Sequence, residues 1–309
     1  MSTNNLKKRP SIESSLKSND TEEYLDLVFY RPAGYRWALL FNRMRVSPNQ
    51  VTIFSIFLGV AAGVMFYFDD IWYNMIGMCL LIWANMYDSA DGQLARMTGQ
   101  KSELGRILDG VSGDFWFITI YASICLRMTP DYSWYIWALA ALSGYFHSKQ
   151  AAMADYYRNI HLFFLKGRAG SELDNSKQQR VAFREMPWGG NYVRKTFLWF
   201  YQNYTASQEK YSPCFQRFFA TLRTKYGEKM PEALREEFRK GSLPLMKYTN
   251  ILSFNTRVIV LFISLFLDMP WIYFIFELTV LNVLLVYMVV RQESLSSRLY
   301  KKIMSKEYE

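Results

Sequence analysis

Six apolar stretches, at residues 51–68, 71–87, 115–126, 134–153, 251–267 and 271–290, constrain this chain more than any other feature of it. At ~1.5 Å per residue, a helical run of about 17–20 residues crosses a hydrocarbon core of roughly 30 Å. The third stretch is short by itself and is extended backward by 107–111. The expected fold is all-α, an integral membrane bundle of six transmembrane helices. Arg257, Glu277 and Asn282 interrupt the last two stretches. Such groups are costly in lipid, so they are expected to face a bundle interior or a wet cavity.

Charge gives the orientation. Lys and Arg gather before the first stretch, between the second and third, between the fourth and fifth, and after the sixth, whereas the turns at 69–70, 129–132 and 268–270 carry none. The positive-inside rule places both termini in the cytosol, and an even number of spans agrees. Residues 1–21 are polar and lack an apolar h-region, so a disordered cytosolic tail is expected rather than a secretory signal. Residues 22–47 mix Tyr24, Leu25, Val28, Phe29 and Trp37 with Arg31, Arg36, Arg43 and Arg45, and Pro32 and Gly34 break the run. That pattern predicts an interfacial amphipathic segment with its arginines toward anionic head groups. Residues 48–154 would hold spans one to four, and 249–292 the last two.

Between them, 155–248 is too long for a simple connection and is expected to be a cytosolic helical insert. Within it, 229–239 reads as a soluble helix. The aromatic and basic segments 192–204 and 214–222 suit an interfacial layer, and 167–176 and 188–190 read as loops. Residues 293–309 would be a cytosolic tail. A bacterial inner membrane is the expected location.

Composition removes several alternatives. The chain has 36 Lys and Arg against 27 Asp and Glu, a formal charge of +9. With this many apolar runs, a membrane surface is the expected acidic partner and nucleic acid is not. The 23 Phe, 22 Tyr and 9 Trp exclude disorder of the whole chain. Three scattered cysteines exclude a disulfide scaffold, and 2 His with no CxxC argue against a zinc site.

The chemistry sits where the second stretch ends, in Asp88-Ser89-Ala90-Asp91-Gly92-Gln93-Leu94-Ala95-Arg96. A helix turns roughly 100° per residue, so Asp88 and Asp91 share a face about 60° wide. Gly92 and Ala95 leave a recess beside them. Two unpaired carboxylates at a membrane boundary repel, and a divalent cation relieves the repulsion. Hard oxygen ligands suit Mg²⁺ or Mn²⁺, which share coordination with phosphate. The segment 105–114 then brings Asp109 and Asp114 to the start of the third stretch, at the same depth. Four carboxylates on two helices would hold two cations, and such a pair clamps a diphosphate. Glycines at 92, 105, 110 and 113 permit close approach of ligand and backbone.

The pattern Asp88-x2-Asp91-Gly92-x2-Ala95-Arg96-x8-Gly105-x3-Asp109 resembles the signature of the CDP-alcohol phosphotransferase family, and 47–52 resembles the start of that family's first span. The resemblance covers the six spans and neither the insert nor the tails. It implies six helices around a polar cavity open to the cytosol, commonly in a homodimer. It implies transfer of a substituted phosphate from a CDP-linked alcohol to the hydroxyl of a second alcohol, with release of CMP. By resemblance Asp88, Asp91 and Asp109 are metal ligands, Gly92, Ala95 and Arg96 lie near the nucleotide, and Asn49 or Thr52 touches the diphosphate.

One position departs. The family's last Asp would fall at 113, which is Gly here, and Asp114 follows one residue late. A five-residue step rotates it about 140° from Asp109 in a regular helix, and a π-type bulge would cancel most of that. With such a bulge Asp114 would serve as fourth ligand and as the general base the family assigns to its last Asp.

The expected donor is a CDP-linked lipid such as CDP-diacylglycerol, its acyl chains remaining among membrane lipids. The acceptor is a small polar alcohol. Basic groups suit an acceptor that carries phosphate, and His147, Lys149 and Arg158 are unusual in and just after the fourth stretch. Asp91–Arg96 with 108–110 is similar to members that use inositol or inositol phosphate. Glycerol phosphate and serine are the alternatives. Two other classes compete: a transporter, whose acids would lie nearer the bilayer centre in paired halves, and a membrane scaffold without catalysis.

Overall fold

Every element among the described residues is helical, in line with the all-α expectation. The computed structural model describes residues 18, 20–100, 102–227 and 229–308. Most of the expected tail, 1–17 and 19, lies outside them; Ser18 and Thr21 are buried, with Thr21 N on Ser18 O at 3.2 Å. Among the described residues, three helical stretches are long and apolar enough to cross a membrane: Pro48–Met65, Glu232–Phe266 and Trp271–Met304. They point to membrane association. The helices that carry the second, third and fourth apolar stretches are long enough to cross but more polar. Asn74 and Asn85, with the acidic motif, interrupt one of them.

The chain divides into two compact units. The first holds a π-helical turn at Asp26–Tyr30, then α1 (Arg31–Arg43), α2 (Pro48–Met65), α3 (Ile71–Thr98) and α4 (Glu103–Tyr132). Local chemistry sets each boundary. Ser47 and Gln50 form a capping box at the head of α2, with Pro48 as its first residue. Asp70 accepts from Trp72 N at 2.7 Å to start α3, and Gly99, at φ +70°, ends it. Ser102 accepts from Gly105 N at 2.9 Å to start α4. A glycine permits the tightest contact: Gly59 of α2 lies against the indole of Trp116 on α4, with no room for a Cβ. α1, the expected interfacial segment, packs Ala38 and Phe41 with Ala90 and Leu94 of α3, and Val51 of α2 joins the cluster.

The second unit begins within α5 (Tyr135–Lys166) and holds α6 (Ser176–Glu185), α7 (Tyr192–Lys210), α8 (Pro213–Tyr226), α9 (Glu232–Ser242), α10 (Met246–Ile251) and most of α11 (Phe254–Phe266). From Ile272 onward it also takes in α12 (Trp271–Phe276), a π-helical turn at Glu277–Leu281, and α13 (Asn282–Met304). α5 runs unbroken past the expected end of the fourth span. Its last turns stack Phe164 on Phe238 of α9, centroids 3.7 Å apart, and pack against Phe218 of α8. α13 runs helical through most of the expected tail because Leu295, Leu299 and Ile303, spaced by four, enter the same core. Glu293 caps α8 by accepting from Cys214 N at 2.6 Å and Phe215 N at 3.2 Å. Arg235 donates to the carbonyls of Phe164 and Leu165 at the end of α5.

Candidate functional site

α3 carries Asp91 about two turns and Asp88 nearly three turns from its C-terminal end, and α4 carries Asp109 in its second turn. One carboxylate oxygen from each lies within 4.8 Å of the other two. Asp91 is buried at 4% exposure, Asp88 is half-buried and Asp109 is exposed, so the group forms a graded recess that opens at Asp109. The donors are all hard oxygens converging from two helices, and three carboxylates this close repel one another. The set fits a divalent cation of the Mg²⁺ or Mn²⁺ kind.

Hydroxyl groups orient the carboxylates. Thr52 of α2 donates to Asp91 Oδ2. Ser112 of α4 lies within hydrogen-bonding reach of Asp88 Oδ1, at 3.1 Å, and of the Asp109 carbonyl, at 2.9 Å. Such outer contacts fix the direction in which a ligand oxygen points. Asn49, at the head of α2, accepts from Ser102 Oγ at 3.0 Å, tying the starts of α2 and α4 together beside the acids. Arg96 folds back along α3: a Cβ at Gly92 would sit 3.5 Å from Arg96 Nη1. Gly92 thus leaves space that the guanidinium covers, and Ala95 is half-buried beside it.

α1 closes over the motif. Gln93 Nε2 donates to the Arg31 carbonyl at 3.1 Å, and a Cβ at Gly34 would sit 2.9 Å from Ser89 Oγ. Arg31 in turn pairs with Glu22 at 3.1 Å. Sequence reasoning missed Ser112, Gln93 and Arg31. Ser112 carried a signal, since it lies three residues after Asp109 and so shares its face. The docking of α1 carried none.

Asp114 stands apart from this group. The π-type bulge expected between Asp109 and Asp114 is absent: α4 is α-helical from Glu103 to Tyr132. Nothing crowds the backbone into a bulge there, since a Cβ at Gly110 or Gly113 would have no neighbour within 4 Å. Asp114 therefore keeps its rotation of about 140° from Asp109 and is not among the acids gathered at the recess.

His147, Lys149 and Arg158 lie in the second unit and do not form one basic cluster there. His147 Nδ1 is 3.1 Å from Glu277 Oε1. Lys149 donates to Ser207 Oγ at 2.9 Å. Arg158 donates to Asn250 Oδ1 at 3.2 Å and Ser253 Oγ at 2.9 Å. The polar residues of the last two apolar stretches face inward within this unit, as expected. Glu277 accepts from Arg257 and from the Tyr273 hydroxyl at 2.8 Å, and Gln150 bridges Arg257 to Asn282.

The acidic recess and the segments that build it fall within residues 45–156, which match the model of the CDP-alcohol phosphatidyltransferase family. That match covers somewhat over a third of the chain. An uncharacterized protein of Aquifex aeolicus (strain VF5) is 33% identical over 75 residues, which is 24% of this chain and 37% of that relative. The similarity thus spans well under half the relative's length. No solved structure matches.

Proposed function

We propose that this protein moves a phosphatidyl group from CDP-diacylglycerol to the hydroxyl of a small polar alcohol, with inositol or inositol phosphate the favoured acceptor, and releases CMP. The observation that carries the reading is the convergence of Asp88, Asp91 and Asp109 inside the family-matched segment. These three would hold one or two Mg²⁺ or Mn²⁺ ions, which when bound neutralise a diphosphate and its leaving group.

The rest is the work of side chains. Thr52 and Ser112 hold Asp91 and Asp88 in place. Asp109 is the exposed member of the three, so it is the carboxylate an incoming hydroxyl reaches first, and it takes the proton as the new oxygen–phosphorus bond forms and the bond to CMP breaks. Arg96, over Gly92, pairs with phosphate oxygen. Asn49 fixes the mouth through Ser102, and Asn49 or Thr52 would touch the diphosphate. The alternative base is Asp114, placed by the family's spacing. Six spans with cytosolic termini in a bacterial inner membrane, a cytosolic face for the site and a homodimer complete the reading.

Its test is a screen of the purified protein in detergent with CDP-diacylglycerol, Mg²⁺ or Mn²⁺, and inositol, inositol phosphate, glycerol phosphate or serine, scored by CMP. Cation-dependent CMP release with an inositol acceptor supports the reading. Turnover of glycerol phosphate or serine alone moves the acceptor, and His147→Ala, Lys149→Ala and Arg158→Ala then show whether these residues set the acceptor KM. No CMP with any acceptor overturns the reading in favour of a scaffold or transporter.

A further inference from the structure

The hairpin of α6 and α7 has a composition and a surface that the transfer reaction does not use. Residues 176–210 hold six Lys and Arg against two Asp and Glu. One of the two acids is turned inward: Glu209 accepts from Ser176 N at 2.9 Å and from its hydroxyl. The bend is built around a buried cation. Lys195, 7% exposed, donates to the Met186 carbonyl at 2.5 Å and lies over the rings of Phe183 and Trp188 at 4.8 and 4.9 Å. Asn175 caps α6 by accepting from Lys177 N at 2.9 Å.

Several large apolar side chains of the hairpin stand outside it. Val181, Trp188, Tyr192, Val193, Trp199 and Phe200 are between 47% and 69% exposed. Between the two helices lies a cleft of about 380 Å³ lined by Arg180, Phe183, Arg184, Trp199, Gln202 and Asn203. That volume is of the order of a small-ligand site. Its wall offers two guanidinium groups, which match phosphate oxygens, two amides and two rings. Exposed Trp and Tyr next to Arg is the composition of a bilayer interface, where rings sit at head-group level and basic residues meet anionic lipid.

We propose that the α6–α7 hairpin docks on the anionic surface of the bilayer, with a lipid phosphate seated in the cleft beside Arg180 and Arg184 and the exposed rings entering the head-group layer. Lipid is the occupant because both halves of the surface match it: the cleft its phosphate, the rings its acyl border. Docking is electrostatic at first contact, so it weakens with salt over the Debye range. It does not depend on the transfer reaction.

The test is hydrogen exchange on the full-length protein in nanodiscs of phosphatidylcholine alone or doped with phosphatidylglycerol. Anionic discs are expected to slow exchange of peptides within 186–204 several-fold, with the difference lost at high salt. In the Arg180→Glu/Arg184→Glu variant the two discs should give equal exchange, while peptides from α13 stay protected and report an intact fold. Equal exchange of the wild type in both discs overturns the proposal. So does the same protection produced in detergent by inorganic phosphate or CDP alone, which would make the cleft a site for a soluble phosphate. Protection in detergent that rises with protein concentration would assign the surface to a second copy and likewise overturn it.

Discussion

A threonine hydroxyl on α2 reaches a carboxylate on α3, and a serine on α4 lies within reach of another: these two contacts, from Thr52 to Asp91 and from Ser112 to Asp88, set the recess at the scale of single residues. Supporting bonds of this kind are worth about 10–100-fold in metal affinity. Thr52→Val is therefore expected to weaken Mn²⁺ binding by about tenfold, read by titration of the purified protein, and unchanged binding would deny the contact its role. Asp109→Asn is expected to lower CMP release by about 10²–10⁴, the range of a lost proton acceptor. Asp114→Asn should stay within about tenfold of wild type, because α4 turns Asp114 away from the three acids. The reverse order would return the base role to Asp114. The acidic group was legible in the sequence because carboxylates three apart on a helix must share a face, and the Gly-rich segment that follows carries Asp109. Thr52 was legible as a site residue, but the carboxylate it serves emerged only from the packing of α2 on α3.

At the scale of elements, close helix approach depends on residues without side chains. Gly59→Val would drive a branched side chain into Trp116 and part α2 from α4. Overpacking costs about 1–3 kcal/mol, which should lower the midpoint of thermal unfolding in detergent; an unchanged midpoint would show that the helices can yield. In the second unit Arg257 and Glu277, at 1% and 0% side-chain exposure, form the centre of a polar network beside the π-helical turn. Breaking a buried pair leaves one charge uncompensated at a cost of about 3–5 kcal/mol, whereas replacing both partners costs much less. Glu277→Gln should therefore destabilise more than the combined Glu277→Gln/Arg257→Met change, and equal losses would show that the pair is not coupled. Farther out, Tyr201 donates to Asp174 Oδ2 at 2.6 Å; burial first, and then the hydrogen bond and charge of Asp174, raise its phenol above the ordinary tyrosine value. A raised value means the bond's stabilisation is complete below the ordinary tyrosine pKa and disappears only as pH rises through the folded value. The penalty of Tyr201→Phe should accordingly be constant through neutral pH. The helix starts at Pro48 and Glu103 are set by the local caps Ser47 and Ser102. The straight course of α4 was not: glycines at 110 and 113 permit a bulge without requiring one.

Across the whole molecule, hydropathy and packing divide the labour. Six apolar stretches were expected to span, and three helical stretches have the length and apolarity to do so. The other three stretches lie on α3, α4 and α5, and polar residues interrupt them, among them Asn74, Asn85 and Asp88 on α3. Within the insert, the helix at 229–239 was legible from its Pro231 start, and α9 runs from Glu232 to Ser242. The insert's core was not legible, because Phe164, Phe218, Phe238 and Leu299 come from four separate helices that only tertiary structure brings together. The central claim is that the three carboxylates on α3 and α4 hold the cation that makes phosphatidyl transfer possible. Its most direct measurement is CMP release from CDP-diacylglycerol by wild type and by Asp88→Asn, Asp91→Asn and Asp109→Asn, each titrated with Mn²⁺ and stripped with EDTA. The account predicts saturable cation dependence in the wild type, loss of release on stripping, and near-abolition with weakened Mn²⁺ binding in all three variants. Full release after stripping, or variants that bind Mn²⁺ and turn over as the wild type does, would contradict it.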